Sequence, residues 1–183
     1  LSLLSGCGYN EFQLLDETVN ANGSEIINQY QRRSDLIPNL VAVVQGYASH
    51  EKETFVGVAT ARAKAMSVQM TPEMMNNPQA FAQYQQAQSQ VSMYLGRMMM
   101  MQERYPELKA DQQFVALQAQ IEGTENRITV SRKRYIDSVK EYNLLTRQFP
   151  TNMTAKWFNF NSRPQFSVDN VKEISSAPKV EFK

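Results

Sequence analysis

Residues 114–149 read FVALQAQIEGTENRITVSRKRYIDSVKEYNLLTRQF, and this stretch decides the fold. Phe114, Leu117, Ile121, Thr124, Ile128, Ser131, Tyr135, Ser138, Tyr142, Leu145 and Phe149 follow one another at steps of three and four. That spacing keeps one stripe of side chains on one face of a helix, the pattern of a packed seam. Asp111 supplies an N-cap ahead of the stripe, and Pro150 is expected to stop the helix. A helix of that length runs roughly 55 Å at 1.5 Å per residue, so it needs partners along its whole extent.

The same rule picks out the partners. Phe12, Leu15, Val19, Asn22, Ile26, Tyr30, Arg33, Ile37, Leu40 and Val44 form a first seam, with Asn22 and Arg33 as its polar entries. Gly23 and Pro38 interrupt it without changing its phase. One helix from about Asn10 to Tyr47, kinked at Pro38, is therefore expected. A second helix, from about Ser49 to Gln69, carries a narrow seam of Thr54, Val58, Ala61, Ala65 and Val68. After the connector MTPEMMNNPQ, Asn77-Pro78 caps a third helix. Its seam is Phe81, Tyr84, Gln88, Val91, Leu95, Met98, Gln102 and Tyr105, and Pro106 ends it. Short connections force neighbours antiparallel. The expected fold is all-α: an elongated antiparallel bundle of about four helices over residues 10–149, with an irregular aromatic-rich tail over 150–183. Trp157, Phe158, Phe160 and Phe166 are too apolar for a free linker; the tail is expected to fold back on the bundle, the alternative being that these aromatics meet a membrane or a partner.

Composition narrows the functions. Hydrophobic residues make up 42% of the chain, enough for a core. The formal net charge is +1, which provides no field to draw nucleic acid. One cysteine and one histidine leave little for a disulfide, a cysteine-rich metal site or a histidine-based nucleophile. His50, beside Ser49 and Glu51, reads as a solvent-facing residue at a helix start. Met98 to Met101 are consecutive and point around the helix, so they cannot converge on one ion; they read as pliable packing. No catalytic, cofactor or metal constellation emerges, and a non-enzymatic role is expected.

Cys7 carries the address. Leu4-Ser5-Gly6-Cys7 fits a lipobox, in which small residues before the cysteine let a peptidase reach the backbone. Acylation of the thiol and the new amine would make a stable membrane anchor. The alternative is a cysteine at the end of an uncleaved membrane helix. Either way a bacterial envelope protein is expected, tied to a membrane at its N-terminus with its bundle outside the cytoplasm. Gly8 stands where an aspartate would signal inner-membrane retention.

The basic clusters Arg32-Arg33 and Arg132-Lys133-Arg134 lie on the first and last helices. Arg33, in the seam, needs a carboxylate if buried, and Glu125 is the candidate. Such a pair would fix the register of the two long helices. The alternative is a binding module in which this basic seam holds a small envelope ligand or peptide.

Several ordered motifs resemble the LemA family: Gly8-Tyr9-Asn10; YQRRSDLIPNLVAVVQGYASHE over Tyr30–Glu51; ATARAKA over Ala59–Ala65; and YPELKADQQFVALQAQIEGTENRI over Tyr105–Ile128. RKRYIDSV over Arg132–Val139, Tyr142-Asn143, FPTN over Phe149–Asn152 and a closing PKVEF complete the resemblance. It implies an antiparallel helical bundle on an N-terminal membrane anchor and no established reaction. Some relatives are associated with organising membrane compartments such as magnetosomes. The family's motif positions fall here on Arg32, Arg33, Asp35, Leu36, Pro38 and Asn39, and on Thr124, Glu125, Asn126 and Arg127. The chain departs from many relatives at Gly23, where they have tryptophan, and at Cys7, where they use an ordinary transmembrane helix. The expected role is a membrane-anchored helical scaffold, self-associating and open to other envelope proteins.

Overall fold

The computed structural model describes residues 8–166. Six helices follow in order: α1 Tyr9–Gln45, α2 Lys52–Ser67, α3 Pro78–Arg104, α4 Glu107–Ala110, α5 Gln112–Leu145 and α6 Thr151–Phe158, with a 3-10 turn at Met74–Asn76. No strand occurs among the described residues. None of their helices is long and apolar enough to cross a membrane.

The frame is the pairing of α1 with α5. Partners descend along α5 as they ascend along α1: Phe12 meets Tyr142, Asn22 donates to the Arg134 carbonyl, Arg33 meets Glu125, and Tyr47 just past the helix meets Asp111. The two are therefore antiparallel. α2 and α3 form a second antiparallel pair, shown by Glu51 with Arg104 and Gly57 against Tyr94. Arg62 ties α2 to α1 through the Ser34 carbonyl at 2.9 Å. The expected all-α antiparallel bundle is thus the observed one.

Local chemistry sets the starts of the helices. The Asn77 side chain accepts from the backbone N–H groups of Gln79 and Ala80, with Pro78 in the first turn of α3. Asp111 accepts from the Phe114 N–H at 2.9 Å and begins α5. α1 stays continuous through both Gly23 and Pro38. Gly23 is buried, and the Met75 sulfur sits 3.0 Å from where its Cβ would be.

Three expectations are corrected. α5 ends at Leu145, not Phe149, and Phe149 is exposed. The Thr146 hydroxyl donates to the Asn143 carbonyl and the Thr151 hydroxyl to the Leu145 carbonyl, which satisfies the last turn and turns the chain before the stripe can continue. Pro150 does not lead straight into the irregular tail: it is the N-cap of α6, and the irregular chain begins at Asn159. The second helix buries Phe55 rather than Thr54, and it begins at Lys52 rather than Ser49.

Beyond α6 the chain does fold back. Asn159 takes the left-handed conformation at φ 59°, and the Phe160 N–H returns to the Ala155 carbonyl at 2.8 Å. Phe160 stacks on Phe12, and Phe166 is buried against Phe81 and Tyr135. Trp157 and Phe158 remain exposed.

Candidate functional site

The apolar interior comes in two clusters. One gathers Ile37, Leu40, Val44, Val91, Leu95, Phe114 and Ile121 toward the α1–α2 turn. The other gathers Phe12, Val19, Ile26, Tyr30, Phe81, Tyr84, Ile128 and Tyr135 toward the N-terminus of α1. Between them, on α1, α3 and α5, lie polar entries: Arg33 and Ser34 on α1, Gln88 on α3, Thr124 and Glu125 on α5. The candidate site is this layer.

Arg33 is its centre, with 1% of its surface exposed. One terminal nitrogen donates to Glu125 Oε1 at 2.9 Å and to Ser92 Oγ at 2.5 Å. The other donates to the Gln88 carbonyl at 2.9 Å and to Gln88 Oε1 at 2.7 Å. The planar fork of a guanidinium suits such a three-helix junction, because its donors leave in fixed directions. The Arg33 guanidinium also lies 4.9 Å from the Tyr30 ring centroid, and Tyr30 meets Tyr84 edge-on at 5.6 Å. Its Nε has no partner among the described residues. Burial pushes the Tyr30 hydroxyl above its ordinary pKa, while Arg132 and Arg33 pull it back. Burial likewise raises Tyr84.

Of the residues singled out in the sequence, the structure brings together Arg33 and Glu125. Arg132 is half-buried and stacks its guanidinium 4.7 Å from the Phe166 ring centroid. Arg32, Asp35, Asn39, Asn126 and Arg127 lie on the surface. Asp35 accepts from Gln31, and Arg127 reaches Thr124 Oγ1 at 3.4 Å. Cys7 lies outside the described residues. His50 is exposed, and the four methionines point around α3, with Met98 and Met101 buried and Met100 exposed.

Sequence reading missed Gln88 and Ser92 as members of the layer. The signal for Gln88 was present, since it is one of the two polar entries, with Gln102, in the third seam; Ser92 carried none. Arg163 was missed as well. It is buried, donates to Asp16 and Asn20 of α1, lies over the Tyr142 ring, and exchanges backbone hydrogen bonds with the Asn143 side chain.

One cleft borders the layer and a second lies away from it. The first, of ≈ 360 Å³, opens beside Tyr30, Tyr84 and Gln88 and is lined on its other side by Ala65, Met66 and Met70. The other, of ≈ 720 Å³, lies at the α1–α2 turn end between α2 and α3, with Glu51, Glu53, Arg97, Glu103 and Arg104 around Tyr94 and Met100. The described residues contain no group of three or more His, Cys, Asp or Glu side chains able to hold a metal ion.

This defines a class: an elongated antiparallel helical bundle whose two apolar cores are joined across one buried arginine. The family model of LemA matches residues 22–182, and the chain belongs to the LemA family. No curated protein matches it.

Proposed function

We propose that this LemA-family chain is a membrane-anchored, non-enzymatic helical scaffold of the bacterial envelope that associates with copies of itself or with other envelope proteins. One observation carries the reading. The charged centre of the bundle is consumed internally: Arg33 is buried and four hydrogen bonds occupy its terminal nitrogens. A cation so engaged is a structural lock on three helices rather than a ligand hook. The rigid element it creates is long, since α1 alone spans roughly 55 Å from its N-terminal end. Fractionation of cells producing the native chain, followed by sizing of the mild-detergent complex, tests the proposal. Membrane-bound oligomers or hetero-complexes support it. A monomer found in the soluble fraction overturns it.

The ligand reading keeps a foothold away from the basic seam. The wide cleft between α2 and α3 mixes acids, arginines and methionine side chains, a lining suited to a peptide or small polar ligand. Charge reversal at Arg97, which is exposed and bears on the cleft but not on the buried layer, separates the two. Lost partner capture with unchanged stability favours the ligand reading.

A further inference from the structure

We propose that α6 is a foot that seats in the polar–apolar boundary of an anionic lipid bilayer, with Phe149, Met153 and Trp157 entering it and Arg147 and Lys156 facing lipid phosphates. The exposures set the problem. Trp157 is 85% exposed, Phe149 79% and Met153 63%. Residues four apart on a helix share a face, so Met153 and Trp157 project together from α6, and the exposed Phe149 lies in the turn that leads into it. Large apolar side chains grouped this way mark an interaction surface.

Two observations select lipid as the occupant. The first is where the remaining chain enters. Residues 1–7, LSLLSGC, carry three leucines and no charge, and they join the bundle at Gly8. Gly8 is buried against α6: a Cβ there would meet Thr151 Cγ2 at 3.2 Å and Thr154 Oγ1 at 3.3 Å. The Tyr9 ring lies 4.8 Å from that of Phe158. The uncharged residues 1–7 thus attach at the end of the rod that carries the apolar face of α6. The second is charge. A cleft of ≈ 340 Å³ beside α6 is lined by Arg147, Lys156, Thr146, Asn159, Asn161 and Ser162, and by no acid. Asp16, the nearby acid of α1, is already paired with Arg163; Glu11 is exposed in the first turn of α1. Tryptophan with flanking cations is the side-chain set that partitions to a bilayer interface. The inference rests on the anchored reading for the orientation of the rod; the aromatic face and basic cleft stand without it.

Trp157 is the sole tryptophan, so its emission reports on the foot alone. The whole purified chain is titrated with vesicles of phosphatidylcholine, with and without phosphatidylglycerol. The expected result is a blue shift that needs phosphatidylglycerol, with quenching by lipids brominated along the acyl chain. Phe149→Ser with Met153→Ser, both exposed positions, should keep the fold and reduce the shift. Arg147→Gln with Lys156→Gln should weaken binding to anionic vesicles by roughly tenfold or more. Co-sedimentation with unshifted emission overturns the foot and leaves the anchored reading standing. Absence of any co-sedimentation overturns the foot, while fractionation of cells judges the anchor separately. Emission that moves with protein concentration in the absence of vesicles assigns the face to a second copy. Emission already blue in dilute solution assigns it to the chain's own residues beyond 166. Either of these results also overturns the proposal.

Discussion

Arg33 of α1 donates to Glu125 of α5 at 2.9 Å, yet the two ends of this ion pair live in different surroundings: the arginine side chain is 1% exposed and the glutamate 39%. The consequences of losing either partner should differ. Glu125→Ala leaves a guanidinium buried among neutral acceptors and should cost about 3 kcal/mol. Arg33→Met leaves a carboxylate that water can reach and fills the layer with apolar volume, at about 1–2 kcal/mol. Denaturant unfolding of the two variants checks the order. A larger loss for Arg33→Met would show that the guanidinium's bonds to Gln88 and Ser92, not its charge balance, hold the layer.

How far this layer was legible follows from its position. Seam spacing placed Arg33 inside the bundle, and a buried guanidinium requires a carboxylate, which pointed to Glu125 on the only comparably long seam. The same reasoning went astray where the pattern was thin. In α2, alanines on several faces blur the stripe, and Phe55 rather than Thr54 took the core. At Phe149 the step of four from Leu145 continued by coincidence across a turn that threonine hydroxyls had already closed. Arg163 could not be read at all, because its partner Asp16 lies 147 residues away and no local period marks it.

Tyr135 presents a buried hydroxyl with no hydrogen-bond partner among the described residues. An unpaired buried hydroxyl costs free energy that a phenyl ring does not. Tyr135→Phe should therefore stabilise the chain by about 1 kcal/mol. A thermal or denaturant midpoint that falls instead would mean the hydroxyl is satisfied, for instance by an internal water.

Alkaline pH should expose the same burial. Burial raises the Tyr135 hydroxyl to about 12, and raises Tyr30 and Tyr142 too. A tyrosine raised in the folded state keeps its proton while the unfolded chain, near pH 10, releases its own. Stability is then unaffected below pH 10 and falls above it, by up to about 1.4 kcal/mol per pH unit for each such tyrosine. For Tyr135 the fall ends near pH 12. Denaturation measured from neutral pH upward, with phenolate absorbance followed in parallel, should show a slope that shallows in Tyr135→Phe. An unchanged slope in that variant would remove Tyr135 from the account.

Arg163 holds the returning segment to α1 and α5 through Asp16, Asn20 and Asn143. Arg163→Ala should loosen residues 160–166 and leave the helices formed, since the frame of α1 and α5 does not depend on it. Hydrogen exchange should speed up at the backbone N–H of position 163, which in the parent chain is bonded to Asn143 Oδ1 at 2.7 Å, while amides around Arg33 keep their protection. Loss of protection throughout the bundle would make this segment part of the core rather than a clasp upon it.

Two helical glycines should respond to alanine with opposite signs, because space rather than propensity decides. A Cβ on Gly57 of α2 would fall 2.2 Å from Tyr94 Cε1 and 2.7 Å from its Cζ, inside the α2–α3 contact. The ring is broad and half-buried, and moving it disturbs the pair; Gly57→Ala should cost about 1–3 kcal/mol. On the exposed face of α3, Gly96 has nothing within 4 Å of a built Cβ. Gly96→Ala gains helix propensity without a clash and should stabilise by about 0.5–1 kcal/mol. In the Tyr94→Ala background, Gly57→Ala should lose most of the penalty it carries when Tyr94 is present, a coupling that a double-mutant cycle reads directly. If the two changes simply add, the Tyr94 ring is not what excludes a side chain from position 57, and the close approach of α2 to α3 has another origin.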